Sequence, residues 1–189
     1  MYSSDNGWYL GDLGLYDKRF MYEPGLHIPL LARGPGIKAG LVTDLFALNA
    51  DFAPTFLELA GLPVAPSFQG KSFAPVLTNP AARVREHIFG EHNWHDFDAH
   101  KRAVRSERFK YIRNFDADLP NTPPADAVRS LTFQEMRRLR DAGKLSPVQL
   151  APFQKPKPAE ELYDVKNDPD QVKNLAADPA YAAQKRALS

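Results

Sequence analysis

No cysteine occurs among the 189 residues, so the chain has no disulfide, no thiolate metal site and no cysteine nucleophile. It also lacks any apolar run near the roughly 18–20 residues that span a bilayer as a helix. Its first residues, "MYSSDNGWYL", carry neither the basic nor the apolar region of a signal peptide. Charge of one sign is missing too. A formal net charge of +1 supplies no field that would draw in nucleic acid or an anionic membrane surface. No internal period marks a repeat architecture.

What is present is ordinary globular composition, 43% hydrophobic and 25% charged, with a surplus of 17 prolines. The prolines gather at 120–124 ("PNTPP") and 147–158 ("PVQLAPFQKPKP"), which marks irregular connections. "HIPLLAR" at 27–33 predicts a short strand closed by the turn "GPGIKAG". Residues 49–61 predict a helix whose apolar face is Ala53, Phe56, Leu57 and Ala60, with Pro54 in its first turn and Gly61 as its stop.

Further along, "EHIFG" at 86–90 predicts a strand. "RAVRSERFKYIRNF" at 102–115 predicts a β-hairpin turning at Ser106-Glu107-Arg108, with Phe109, Tyr111 and Phe115 on one face. A helix is expected over 133–142, capped by Thr132 with Glu135 in a capping box, stapled by Leu131 on Met136 and ended by Gly143. The tail predicts a strand at 160–165, a turn at Asn167-Asp168-Pro169 and a helix opening at Asp178-Pro179. Strand, helix, strand, hairpin, helix, strand, helix is the order of an α+β region attached to a larger sheet. The sequence reads as if cut at both ends.

Three places could carry chemistry. In "SSDNGWYLG", Asp5 and Asn6 offer a carboxylate and an amide oxygen at adjacent positions, a donor set that hard cations such as calcium accept. Asp-Asn-Gly is equally a turn sequence, because all three residues tolerate left-handed backbone. Lys18, in "LYDKRFMYE", is a point charge suited to sulfate or phosphate, or else a solvated lysine beside Asp17. The third place is "GEHNWHDFDAHKR" at 90–102, where His92, His95, Asp96, Asp98 and His100 crowd around Trp94 and Phe97. It reads as a polar loop after a strand, which could line a substrate pocket, bind a metal or be structural. His92 and His95 are the candidate substrate contacts.

Taken in order, four segments resemble the C-terminal half of a type I sulfatase of the alkaline-phosphatase-like superfamily. They are "SSDNGWYLGDLGLYDKRFMYE", "HIPLLARGPGIKAG", "TDLFALNADFAPTFLELAGLPVAPSFQGKSFAPVL" and "ELYDVKNDPDQVKNLA". "RAVRSERFKYIRNF" and "LTFQEMRRLRDAGKL" look closest to the N-sulfoglucosamine sulfohydrolase branch. The resemblance implies an α/β fold: the end of a central sheet in 1–80, and in 81–189 a small α+β subdomain with an antiparallel sheet and a terminal helix.

It also implies roles. Asp5 and Asn6 match two ligands of one calcium ion, and Lys18 matches the lysine that contacts the sulfate group. The substrate implied is a sulfated sugar or aryl sulfate. The family's nucleophile is a formylglycine made in a C/S-x-P-S-R motif, which these 189 residues do not contain. The remaining calcium ligands are likewise expected upstream, so the chain alone is expected to be inactive. Leu13 stands where relatives often have a histidine, and His27 where many have arginine. The same superfamily holds phosphodiesterases and phosphonate monoester hydrolases, and a non-catalytic remnant is a third reading. The family points to a periplasmic, secreted or lysosomal setting.

Overall fold

The computed structural model describes residues 1–189. In chain order the elements are β1 (Tyr2–Ser3), β2 (Tyr9–Leu10), β3 (Tyr16–Asp17), α1 (Glu23–Leu26), β4 (Leu30–Leu31), α2 (Phe52–Leu59) and α3 (Ala74–Thr78). There follow β5 (Ile88–Trp94), β6 (Asp98–Arg105), β7 (Phe109–Asn114), α4 (Ala125–Arg129), α5 (Leu131–Asp141), α6 (Pro147–Leu150), β8 (Glu160–Asp164) and α7 (Ala182–Leu188). The chain forms two compact units, each discontinuous in sequence. One comprises Met1–Asp5 and Pro29–Ile88, the other Asn6–Ile28 and Phe89–Ser189.

In the first unit β1 and β4 pair antiparallel, Tyr2 opposite Leu31. The strand expected over 27–33 thus shrinks to Leu30–Leu31. Pro29 has no N–H for a ladder, and Gly34 and Pro35 soon break the extended run. Helix α2 forms where expected but buries another side. Ala53, Phe56 and Ala60 are exposed, while Pro54 and Thr55 are buried. The polar residues win because their bonds are made inside. Asp51 is fully buried and accepts hydrogen bonds from Leu48 N at 2.8 Å and Lys71 N at 2.7 Å, and it pairs with Arg85. Thr55 Oγ1 donates to Asp51 O at 2.6 Å and accepts from Phe73 N at 3.0 Å. Gly70 completes the clasp: a Cβ there would sit 2.0 Å from Ala50 O, which only glycine avoids.

The second unit is built on a four-stranded sheet in the order β5-β6-β7-β8. The expected hairpin is β6 and β7, antiparallel with Val104 opposite Tyr111; β8 then adds to β7, Leu162 opposite Tyr111. Both faces of this sheet are covered. Tyr111, Leu162 and Leu175 cluster on one, with Phe109, Tyr181 and Leu188 packed against them. Met21, Ala103, Ile112, Tyr163 and Val165 cluster together elsewhere in the unit. Successive strand residues point to opposite faces, which is how Tyr111 and Ile112 enter different clusters. Phe115 leaves the expected face: it lies beyond β7 and stacks on His100 at 4.2 Å.

The alternation also buries polar residues. Lys110 is 1% exposed and donates to Glu23 Oε1 at 2.9 Å. Burial opposes ionisation of Glu23, yet Lys110 and Arg105 hold its carboxyl below the usual range. Asn114 and Tyr163 both donate to the buried Glu161.

Helix α5 starts two residues earlier than expected, because Ser130, not Thr132, is its cap. Its Oγ accepts from Phe133 N at 3.2 Å, and Glu135 binds Arg138 instead of closing a capping box. The stop at Gly143 (φ +65°) holds, with Lys144 N donating to Leu139 O. Ser130→Ala is expected to lower the stability of this helix by about 1 kcal/mol. Hydrogen exchange at the Phe133 amide is the direct reading. Asp178 caps the final helical segment, its Oδ1 accepting from Ala180 N at 2.9 Å.

Candidate functional site

The "DNG" stretch is not a left-handed turn, since none of Asp5, Asn6 or Gly7 has positive φ. The glycine serves another purpose. Gly7 N donates to Gly25 O at 3.0 Å, and a Cβ on Gly7 would lie 2.0 Å from Pro24 O. Gly25 in turn leaves room for the Tyr9 ring, which a Cβ would meet at 2.7 Å. Tyr9 is fully buried and its hydroxyl donates to Tyr22 O at 3.0 Å. Close backbone approach, rather than a turn, therefore fixes the segment after Asn6.

Asp5 is exposed, and its main-chain oxygen accepts from Asn49 Nδ2 at 2.9 Å. Asn6 donates its amide N–H to Gly7 O at 2.5 Å, which turns the amide's donor end onto the backbone. A hard cation needs the opposite, oxygen end. One carboxylate and one amide oxygen fit two positions of a calcium shell of about 6–8 oxygens. No group of three or more His, Asp or Glu side chains is arranged to hold a metal.

Lys18 is not the fully solvated lysine that a place beside Asp17 allows. It is half-buried, its Nζ 5.5 Å from the centroid of the exposed Trp8 ring. Asp17, in left-handed backbone at φ +72°, pairs with Arg19 instead. The ammonium thus rests on an aromatic face, which holds a cation without neutralising it. Trp8 had a sequence signal, an aromatic two residues after the Asp-Asn pair, that was not read as part of the site.

The His/Asp segment is the end of β5, a short turn and the start of β6, where the sequence suggested a loop. His92 lies in β5 and His95 just past it. Its members do not converge on a metal. His100 stacks on Phe115, Asp96 Oδ2 accepts from Ala125 N at 2.7 Å, and His95 Nδ1 lies 3.2 Å from Asp96 Oδ1. His92 and His95 instead line a cavity of about 140 Å³ together with Arg19, Phe20, Lys101 and Asn121. Both ring nitrogens of His92 are buried without a protein hydrogen-bond partner. Burial, then the charges of Lys101, His95 and Arg19, lower its proton affinity.

Lys101, which sequence reasoning missed, is 5% exposed. Its Nζ donates to Asn121 Oδ1 at 2.6 Å and sits 5.3 Å from the centroid of the Phe20 ring. Burial, with Lys157 nearby, pulls its pKa down to about 7 against the opposing pull of Glu161 and Asp116. The signal was available: Ala99, Lys101 and Ala103 alternate on the inward side of β6.

Comparison with known proteins completes the picture. Residues 11–121 match the model of the family described as N-sulphoglucosamine sulphohydrolase, C-terminal. An ulvan-active sulfatase of Formosa agariphila is 37% identical over 168 residues, 87% of this chain and 28% of that protein. An N-acetylglucosamine-6-O-sulfatase of Bacteroides thetaiotaomicron is 50% identical over 80 residues, 42% of this chain and 14% of that protein. The chain thus spans under a third of these relatives. A protein solved in complex with its substrate D-glucosamine-2-N,6-O-disulfate superimposes over 99% of this chain and 31% of its own, with a TM-score of 0.72 and 29% identity. The phosphonate monoester hydrolase of Agrobacterium radiobacter shares the fold at a TM-score of 0.64 and 22% identity, over 98% of this chain and 32% of its own. With its mixed α/β architecture, antiparallel sheet and terminal helix, the chain belongs to the N-sulphoglucosamine sulphohydrolase C-terminal family and corresponds to the C-terminal part of a type I sulfatase.

Proposed function

We propose that this chain supplies part of the active site of a sulfatase that hydrolyses a sulfated sugar. The observation that carries the reading is the family match over 11–121, which takes in Lys18, His92 and His95. The substrates named for its relatives are sulfated sugars in two cases. Asp5 and Asn6 would give a carboxylate and an amide oxygen to one calcium ion, whose charge would offset that of the sulfate. Lys18, held on Trp8, presents its ammonium to the sulfate oxygens as negative charge develops on them. His92 and His95 contact the sugar end of the substrate. The nucleophile, by resemblance a formylglycine, lies outside these 189 residues. The chain on its own is therefore expected to show no sulfate-ester turnover.

The test is Lys18→Ala in the complete protein. A preorganised charge aimed at the reacting group is worth roughly 10²–10³ in kcat, so a fall of that size is expected on a 6-O- or N-sulfated glucosamine. Lys18→Arg should restore little, because a planar fork does not replace a point charge. Unchanged kcat in Lys18→Ala would remove Lys18 from the site. Faster turnover of a phosphonate monoester than of any sulfate ester would remove the sulfatase reading. The likeness to phosphonate monoester hydrolases, at 22% identity, speaks to the fold and does not favour that chemistry.

A further inference from the structure

We infer that the cavity bounded by Arg19, His92, Lys101 and Asn121 is a recognition pocket for a single oxyanion substituent, separate from the group that Lys18 contacts. It rests on the reading of His92 and His95 as substrate contacts and extends it to a second charged group on the same ligand. The ligand class is a sugar bearing a carboxylate or a further sulfate.

Size is the first argument. The cavity, at about 140 Å³, has room for one carboxylate or sulfate. Polarity is the second. Leaving a buried donor or acceptor without a partner is costly, and His92 carries two such ring nitrogens beside the cavity. A ligand oxygen accepting from one of them removes that cost.

Charge is the third argument. Arg19 is engaged with Asp17, and the cavity's carboxylate, Asp98, is exposed. The buried ammonium of Lys101 is held by a neutral amide oxygen. An anion entering the cavity would give it the counter-charge that Asn121 cannot. It would also reverse the environment that lowers proton affinity at Lys101 and His92, whose charged neighbours are Lys157, Glu161, Asp116, His95 and Arg19. Binding should accordingly draw in protons and tighten as pH falls through neutrality.

The experiment titrates the full chain with sodium sulfate and, separately, sodium acetate, while NMR follows the His92 ring. Sodium chloride at equal ionic strength is the control. An anion within about 4–6 Å raises a neighbouring histidine's pKa, and an upward shift of roughly one unit is expected. Response to both salts supports a general oxyanion pocket. Response to sulfate alone identifies a sulfate group as the occupant, and response to acetate alone identifies a carboxylate. No shift, or one that chloride reproduces, overturns the proposal.

Lys101→Met should abolish the response and Lys18→Ala should leave it intact; a full response in Lys101→Met also overturns the proposal. If Lys101→Met does not fold, Asn121→Asp keeps the bond to Nζ but installs an internal anion, and it too should abolish the response. A persistent response there counts against the pocket. The two readings fail separately. A silent His92 beside a Lys18→Ala loss of turnover removes only the pocket. A responsive His92 in a protein whose complete form hydrolyses no sulfate ester removes only the sulfatase reading.

Discussion

Asp51→Ala is expected to destabilise the unit that contains it by about 3–5 kcal/mol, the usual cost of breaking a buried charge pair by removing one partner. Asp51 is fully buried, and its two carboxylate oxygens satisfy Leu48 N, Lys71 N and the Arg85 guanidinium. Truncation orphans two backbone N–H groups and leaves Arg85, whose side chain is 12% exposed, without its counter-ion. Asp51→Asn keeps the shape and one acceptor oxygen, so an intermediate loss is expected. Because the chain forms two units, hydrogen exchange at the Leu48 and Lys71 amides is a cleaner measurement than a global melt. A loss under about 1 kcal/mol would show that water reaches the carboxylate in the native protein.

Lys101 is expected to make stability rise with pH above neutrality. Its folded-state pKa of about 7 lies below the ordinary value of 10.5, so between these limits the unfolded chain binds more protons than the folded one. Stability then increases with pH. Below about pH 7 the lysine is charged in both states and the cost of burying it is fully present; the cost is relieved as the folded state gives up its proton. Over pH 7–9 the gain is on the order of 2–3 kcal/mol at about 1.36 kcal/mol per unit.

Lys110 and Lys157 are lowered by burial in the same sense, so the wild-type curve sums several groups. The difference between wild type and Lys101→Met isolates one. In urea unfolding at pH 6 and pH 9, the variant should be the more stable relative to wild type at pH 6 and should lose that advantage by pH 9. A difference that stays constant with pH would place the Lys101 charge in contact with water.

The second unit was the more legible in the sequence. Its hairpin, final strand and terminal helix were readable because turn residues and alternation lie within a few positions of one another. Ser106-Glu107-Arg108 joins two strands that pair directly, and Asp178-Pro179 opens a helix locally. What failed was decided at a distance. The buried side of α2 is set by Asp51 meeting Lys71 N and Arg85, 20 and 34 residues away, so a period-based reading chose Phe56 over Thr55.

The candidate site divides in the same way. Asp5, Asn6 and Lys18 stand close together in one motif, and resemblance singled them out as candidates. Lys101 meets Asn121 and His92 only once the sheet has formed; the alternation in β6 marks its side as inward but does not tell which partners a buried lysine finds there. The cap at Ser130 was missed for a smaller reason: two adequate caps lie two residues apart, and only backbone geometry selects one.

The discontinuity of the second unit has a consequence for synthesis on the ribosome. Residues 6–28 are made well before their partners, for Tyr22 and Glu23 bond to Glu161 and Gln171, 139 and 148 residues later. At about 5–20 residues per second, that separation is a wait of roughly 7–30 s. During it Glu23 lacks Gln171, and for the first 87 residues Lys110 as well, while the buried faces of Met21 and Tyr22 wait for Tyr163 and Glu161. The segment that carries Lys18 is thus made long before it is secured. Slowing translation before β8, or truncating the chain ahead of it, should expose that segment to chaperones and proteases.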